Sequence, residues 1–92
     1  MRTRLAALLA LMIATGCTVG SGAVVTGAGP DDMLKLREGP GLNHKIIIGL
    51  PDGTRLVRQN CVTNNGKLWC KVALADRPGV SGYVSAEYLA LR

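Results

Sequence analysis

The three cysteines are the residues of this chain whose types and spacing first indicate chemistry. Cys17 follows an apolar N-terminal run, whereas Cys61 and Cys70 lie symmetrically about the dipeptide Asn65-Gly66. Redox-active dithiols usually have the spacing C-x-x-C, which this pair lacks. A metal site would need more ligands than the single histidine, His44, can add. We therefore interpret the pair as a structural disulfide and predict no metal and no cofactor.

The N-terminal segment predicts export. Residues 1–4 are cationic, residues 5–14 are apolar without interruption, and Ala14 and Gly16 place small side chains at positions −3 and −1 of a cut before Cys17. This is the layout of a secretory signal peptide. The apolar run has ten residues, whereas a membrane-spanning helix needs roughly 20. Residues 1–16 are therefore predicted to be a cleaved signal, and the oxidising exterior favours a disulfide.

The residues around Cys17 resemble the bacterial lipoprotein signal, in which the new N-terminal cysteine is acylated and anchors the protein. The small residues and the cysteine match, but this chain has Ala14 where the family usually has Leu. If the resemblance holds, Thr18 in place of Asp implies sorting to the outer membrane. The expected location is thus that of a periplasmic or outer-membrane lipoprotein with its lipid on Cys17. The alternative is ordinary cleavage, which leaves a secreted protein with a free Cys17 thiol.

The mature chain is small and mildly basic. Removal of residues 1–16 leaves 76 residues and lowers the formal net charge from +5 to +3, because Arg2 and Arg4 are lost. This charge favours anionic envelope polymers or lipid headgroups as partners, and export argues against nucleic acid. Residues 18–30 are rich in Gly and carry no charge, so with Cys17 they are predicted to form a flexible tether, 17–30. The alternative is that residues 23–27 add an edge strand.

Residues 31–92 are predicted to form one small all-β domain. Turn signals rich in Gly, Pro and Asn separate short runs of aliphatic and β-branched residues, and no stretch keeps a helical period. Residues 85–88 are predicted to form a single helical or 3₁₀ turn. The five predicted strands, which suggest a barrel, are residues 33–37, 45–50, 54–62, 67–74 and 80–84.

The hairpin about Asn65-Gly66 can be predicted residue by residue. This dipeptide favours a two-residue type I′ turn, because both central residues need positive φ. The residue numbers of each cross-strand pair then sum to 131. Cys61 therefore lies directly opposite Cys70, in a non-hydrogen-bonded pair. The expected Cα separation of about 4.5 Å lies at the short end of the disulfide range.

The same register predicts the two faces of the hairpin, because side chains alternate along a strand. On the polar face, Trp69 points outward beside cations. The apolar Leu56 also falls on this face, so the first part of the strand 54–62 must twist, bulge or tuck under the barrel. The predicted core face contains Cys61, Cys70, Val72, Val57, Leu74 and Leu68. The predicted polar face contains Arg58, Asn60, Val62, Trp69 and Lys71.

Five blocks of the sequence together resemble the bacterial SH3 (SH3b) domain. They occur in the family's order and cover residues 31 to about 91. The chain departs from the family pattern at Tyr83, where Trp is commoner, and at Lys67-Leu68, which lengthens the approach to Trp69. The blocks are LKLREGP (34–40), LPDGT (50–54), NGKLWCKV (65–72), GYV (82–84) and YL (88–89).

The resemblance implies a five-stranded SH3-like barrel that serves as a non-catalytic binding module, often for peptidoglycan or its stem peptides. His44 has no partner set for nucleophilic catalysis, and the carboxylates lie mainly at turns, so no enzyme activity is predicted. The candidate ligand-binding residues are Trp69 and Tyr83 as apolar platforms, with Arg58 and Lys71 as partners for ligand carboxylates. For Trp69, the alternative is that the indole only covers one end of the barrel.

A second class of function stays open. The SH3-like surface would then dock on another envelope protein or peptide, as in a protein-interaction or structural lipoprotein, without affinity for the cell wall. A secreted effector or inhibitor is a third possibility, which would require release from the cell.

Overall fold

The computed structural model describes residues 21–91, which form one curled antiparallel sheet of seven strands in the order β3-β2-β6-β5-β4-β1-β7. The all-β SH3-like prediction is confirmed, and the five predicted strands correspond to β2 through β6. A 3₁₀ turn at Ala86–Tyr88 lies where it was predicted. The strands are β1 (Ser21–Val25), β2 (Leu34–Arg37), β3 (Ile46–Leu50), β4 (Arg55–Asn64), β5 (Lys67–Leu74), β6 (Arg77–Ser85) and β7 (Leu89–Leu91).

Strand β1 overturns part of the predicted tether. It pairs with β4 on one side and β7 on the other, and Ala23 and Val25 are each only 1% exposed. A flexible tether is therefore wrong for Ser21–Val25, and the strand is not at an edge either. The segment is too short to fold alone, but it acquires order by pairing with β4 and β7 and burying two apolar side chains. The predicted signal, residues 1–16, and Cys17 lie outside the described residues.

The chain after β1 is also fastened to the barrel, at the turn between β3 and β4. Val25 donates a backbone hydrogen bond to the Thr54 carbonyl (3.0 Å) and accepts one from Gly53 (2.8 Å). The Asp52 carboxylate accepts hydrogen bonds from the backbone N–H groups of Ala28 (2.8 Å) and Gly29 (3.0 Å). The folded unit thus begins at least ten residues earlier than predicted.

The predicted hairpin register is confirmed. Asn65 and Gly66 have φ of 53° and 77°, as a type I′ turn requires. Cys61 lies opposite Cys70, their Cα atoms are 3.9 Å apart, and their sulfur atoms are bonded. Cys70 belongs to the buried core and Cys61 packs against it.

A bulge in β4 settles the position of Leu56. Register shifts between Arg58 and Cys61, so two residues, Gln59 and Asn60, occupy the place of one. The side-chain alternation therefore changes phase, and Leu56 points into the core, 2% exposed, opposite Leu74. The predicted core position of Val57 is wrong for the same reason, since this residue is only half-buried.

Two further face predictions fail where the hairpin leaves the barrel. Leu68, predicted to be core, is 47% exposed, because near the turn the core face of the hairpin has no layer packed on it. Trp69, predicted to face solvent, is only 3% exposed. Non-local elements cover this indole, as the site geometry explains. Within residues 21–91, no helix is long and apolar enough to cross a membrane.

Candidate ligand groove

Two adjacent cavities meet at Trp69 and Leu42, and we call the pair the Trp69 groove. Their volumes are about 260 and 310 Å³. The first cavity is bounded mainly by β2, the 3₁₀ turn and the chain after β1: Gly27, Ala28, Asp32, Met33, Leu34, Lys35, Arg37, Ser85 and Tyr88. The second lies between the hairpin turn and the loop after β2: Gly41, Asn43, Asn64, Asn65 and Lys67.

Trp69 lies beneath the groove. It pairs with Val62 on β4 and Ser85 on β6, which places the indole on the face of β5 opposite the core residue Cys70. The loop formed by residues 38–44 approaches from β2 and carries Leu42 to the junction of the two cavities. Leu42 is 72% exposed. A solvent-accessible aliphatic side chain where the two cavities meet gives a ligand an apolar contact in the middle of the groove.

The 38–44 loop is held in place at both ends. The Arg37 guanidinium donates hydrogen bonds from Nη1 to the carbonyl oxygens of Leu42 and His44, both at 3.0 Å. Asn64, next to the hairpin turn, donates from Nδ2 to the Pro40 carbonyl at 2.6 Å. The loop therefore spans from β2 to the hairpin, and its backbone shape is fixed before any ligand arrives, which lowers the entropic cost of binding.

Cations at the two ends of the groove are paired with carboxylates. Lys35 lies 3.2 Å from Asp32 at the first cavity, and Lys67 lies 2.9 Å from Glu87 beside the second. The pKa of Asp32 is lowered by a hydrogen bond from the Met33 backbone and then by Lys35. The pKa of Glu87 is lowered chiefly by the hydrogen bond from Lys67. Both pairs are exposed, so a ligand carboxylate can compete for either lysine at small cost.

Of the four candidate ligand residues, only Trp69 lines the groove. Tyr83 and Lys71 are brought together as a cross-strand pair on β6 and β5, and Tyr83 also faces Arg37 on β2. Arg58 lies opposite Ser21 on β1 and Val72 on β5. Neither cavity is lined by Tyr83, Lys71 or Arg58.

The Arg58 side chain has a different environment from that of Tyr83 and Lys71. Its Nη1 lies 3.6 Å from Cys61 Sγ, and its Nε is buried without a hydrogen-bond partner among the described residues. The guanidinium therefore packs beside the disulfide.

Several groove residues were not anticipated from the sequence. Leu42 and Asn43 lie in the 38–44 loop, for which the Gly-Pro-Gly signal at residues 39–41 was the only indication. Asn64 ends β4 and Asn65 lies in the predicted hairpin turn, but neither was expected to line a site. The described residues contain no group of three or more His, Cys, Asp and Glu side chains placed to hold a metal ion.

Comparison with known proteins agrees with this architecture. The model of the bacterial SH3 domain family matches residues 32–90, which is more than half of the chain. No curated protein and no solved structure gives a significant match. The matched segment begins just before β2, ends in β7 and includes both sides of the Trp69 groove. The chain therefore belongs to the bacterial SH3 domain family.

Proposed function

We propose that the mature chain is a non-catalytic binding module of the cell envelope that takes peptidoglycan, or a peptide of similar chemistry, in the Trp69 groove. Bacterial SH3 domains are commonly modules that bind the cell wall or proteins. The observation that carries the proposal is the fixed loop that brings Leu42 to both of the cavities that Trp69 lines. The family alone does not identify this surface.

The side chains around the groove suit a peptide or amino-sugar ligand. Asn43, Asn64 and Asn65 supply amide groups beside the second cavity, and amides both donate and accept hydrogen bonds. Lys67 beside them and Lys35 at the other end are placed to meet ligand carboxylates. An extended ligand with apolar side chains near its middle and anionic groups towards its ends matches this order of contacts.

Export and membrane anchoring belong to the same proposal. The signal at residues 1–16 and the cysteine after it support acylation of Cys17, and the Cys61–Cys70 disulfide supports an oxidising compartment. The intact mass of the membrane-extracted protein tests both points, because it reports cleavage, acyl chains and the two-proton loss of the disulfide together. A mature mass without acyl chains would remove the anchor and leave the secreted alternative.

Retention on purified peptidoglycan tests the ligand. The variant Leu42→Ser should lose binding by about fivefold or more, as expected for a central contact of a binding surface. Its matched control is Leu91→Ser, which makes the same change at an exposed leucine of β7 outside the groove. Both leucines are exposed, so neither variant should unfold. Equal retention of the two variants would exclude the Trp69 groove as the binding site.

A protein partner is the second candidate, and an apolar edge strand favours it. Strand β3 is at one end of the sheet order, and its residues Ile46, Ile47 and Ile48 are all partly exposed. Exposed apolar edges are sites at which another chain can add a strand. A photocrosslinking side chain at position 47 should then capture one defined envelope protein in cells, whereas the same group at position 42 should capture glycan strands if the first proposal is correct.

A further inference from the structure

The bulge in β4 brings a cation into contact with the disulfide. In a regular strand, residues three positions apart point to opposite faces, because side chains alternate. Between Arg58 and Cys61, however, two residues occupy the place of one. Both side chains therefore lie on the core face, where Arg58 is paired with the buried Val72. The Arg58 guanidinium donates a hydrogen bond from Nη1 to Cys61 Sγ at 3.6 Å.

This guanidinium is poorly matched to the disulfide that it touches. A disulfide sulfur is uncharged and accepts hydrogen bonds only weakly, and the buried Arg58 Nε has no hydrogen-bond partner among residues 21–91. A buried donor without a partner calls for an explanation, of which a redox role is one. A thiolate carries a full negative charge and accepts much stronger hydrogen bonds from a guanidinium. Arg58 therefore fits the thiolate of Cys61 better than it fits the disulfide.

The two sulfur atoms also differ in their access to solvent. Cys70 is only 2% exposed, whereas Cys61 is partly exposed. Disulfide exchange begins when a thiolate attacks one sulfur, and the attack depends on access to that sulfur. Cys61 is thus the sulfur that an external thiol can reach, and Cys70 is the leaving group.

We propose that Cys61 is a thiol-exchange site, at which an external thiol forms a mixed disulfide with the help of Arg58. In the first step, a thiolate attacks Cys61 Sγ and the Cys61–Cys70 bond breaks. Its electron pair leaves on Cys70, which takes up a proton. In the second step, another thiolate attacks the sulfur of the added thiol, and Cys61 leaves as a thiolate beside Arg58. The cysteine pair gains two electrons, and the external thiols are oxidised to a disulfide.

Trapping the mixed disulfide identifies the attacked sulfur. The mature chain, residues 17–92 with Cys17→Ser, contains all seven strands and is mixed in its oxidised form with 2-mercaptoethanol. N-ethylmaleimide then stops the exchange by blocking free thiols, and trypsin cleavage after Lys67 separates the two cysteines for mass mapping. Mercaptoethanol should be found on Cys61 and maleimide on Cys70. The opposite placement, or an equal mixture, would overturn the proposal.

The rate of reduction by dithiothreitol tests the role of Arg58. Arg58→Gln should slow reduction about fivefold or more, because a hydrogen bond to a charged sulfur is lost, and Arg58→Lys should restore most of the rate, because it keeps a cation beside the sulfur. The matched control is Arg55→Gln, which removes the same charge from an exposed position of the same strand and should leave the rate unchanged.

The direction of the effect separates a chemical role of Arg58 from a structural one. Loss of structure around the disulfide would expose the sulfur atoms and speed their reduction, so a slower rate cannot arise from unfolding. An unchanged or faster rate in Arg58→Gln, or equal slowing in Arg55→Gln, would overturn the proposed role. Neither outcome bears on the Trp69 groove, because Arg58, Cys61 and Cys70 line neither of its cavities.

Discussion

The Asp52 carboxylate accepts a 3.0 Å hydrogen bond from the backbone N–H of Gly29, a residue 23 positions earlier in the chain. A second bond, from Ala28 at 2.8 Å, completes a clamp on the other carboxylate oxygen. The clamp fastens the segment after β1 to the turn between β3 and β4. Replacing Asp52 by Ala should lower the free energy of unfolding by about 1–2 kcal/mol, since two hydrogen bonds to one charged group are lost at an exposed site.

Urea denaturation followed by circular dichroism measures that loss, with Asp76→Ala as the matched control. Asp76 is exposed in the turn between β5 and β6 and makes no side-chain hydrogen bond within residues 21–91. Equal stability of the two variants would mean that the clamp contributes nothing.

Strand β1 should stabilise the fold mainly through the buried side chain of Val25. Val25 is 1% exposed in the main core, whereas its neighbour Val24 is only partly buried. Val25→Ala should lower the free energy of unfolding by about 2 kcal/mol, because it leaves a cavity, and Val24→Ala by much less. Urea denaturation of the two variants provides the comparison. The same small effect for both would contradict the placement of β1 in the core.

Gly82 lies on β6 where β2 passes close to it. A Cβ atom there would lie 2.5 Å from the Arg37 carbonyl oxygen and 3.0 Å from Leu36 and Ile47 side-chain atoms. Gly82→Ala should therefore lower the free energy of unfolding by about 1–3 kcal/mol, because backbone must move. Gly79→Ala on the same strand is the control, since a Cβ there meets nothing within 4 Å. The difference in urea midpoint between the two variants measures the effect, and no difference would contradict this packing.

The disulfide should stabilise the hairpin chiefly by restricting the unfolded chain. Cys61 and Cys70 are nine positions apart, and closing a loop of this size contributes about 2–3 kcal/mol. The double variant Cys61→Ala, Cys70→Ala should unfold at a correspondingly lower urea concentration, while the wild-type chain in reductant should behave like it. A double variant as stable as the oxidised wild type would show that the disulfide does not stabilise the fold.

Two exposed ion pairs predict a weak dependence of stability on acid. The folded pKa of Glu87 is lowered from its ordinary value of 4.5, and that of Asp32 from 3.8. A lowered carboxyl pKa stabilises the fold above the ordinary value, and this contribution is lost as pH falls through the folded pKa. Carboxyl NMR titration of Lys67→Met should move the pKa of Glu87 upward towards 4.5 and leave Asp32 unchanged. An unmoved Glu87 would show that the contact with Lys67 does not persist in solution.

The hairpin was predictable from the sequence because its determinants are local. Asn65-Gly66 permits essentially one tight turn, and that turn alone sets the opposition of Cys61 and Cys70. The predicted strand register became wrong at the bulge, because neither Gln59 nor Asn60 is a residue type that indicates an extra residue in a strand. From there towards the start of β4, every inward or outward assignment was reversed, as Leu56 and Val57 show.

The burial of Trp69 and the order of β1 were beyond local reasoning. Both depend on chain segments far away in sequence: the 38–44 loop and the partner strands β4 and β7. Gly-rich composition correctly indicated a segment that cannot fold alone, but it does not exclude folding against a neighbour. The groove depends on long-range contacts as well, because its first cavity is bounded by β2, the 3₁₀ turn and the chain after β1, and its second lies between the 38–44 loop and the hairpin turn.

Because β1 lies between β4 and β7, the segment that folds is longer than the segment that matches the family. The family match begins at residue 32, so a polypeptide cut at that boundary would keep every family block and still lack a strand. The edges of β4, at residues 55–58, and of β7 would then carry unpaired backbone groups beside an opened core. Such edges pair readily with other chains, so the shortened domain should self-associate even though its sequence signature is complete.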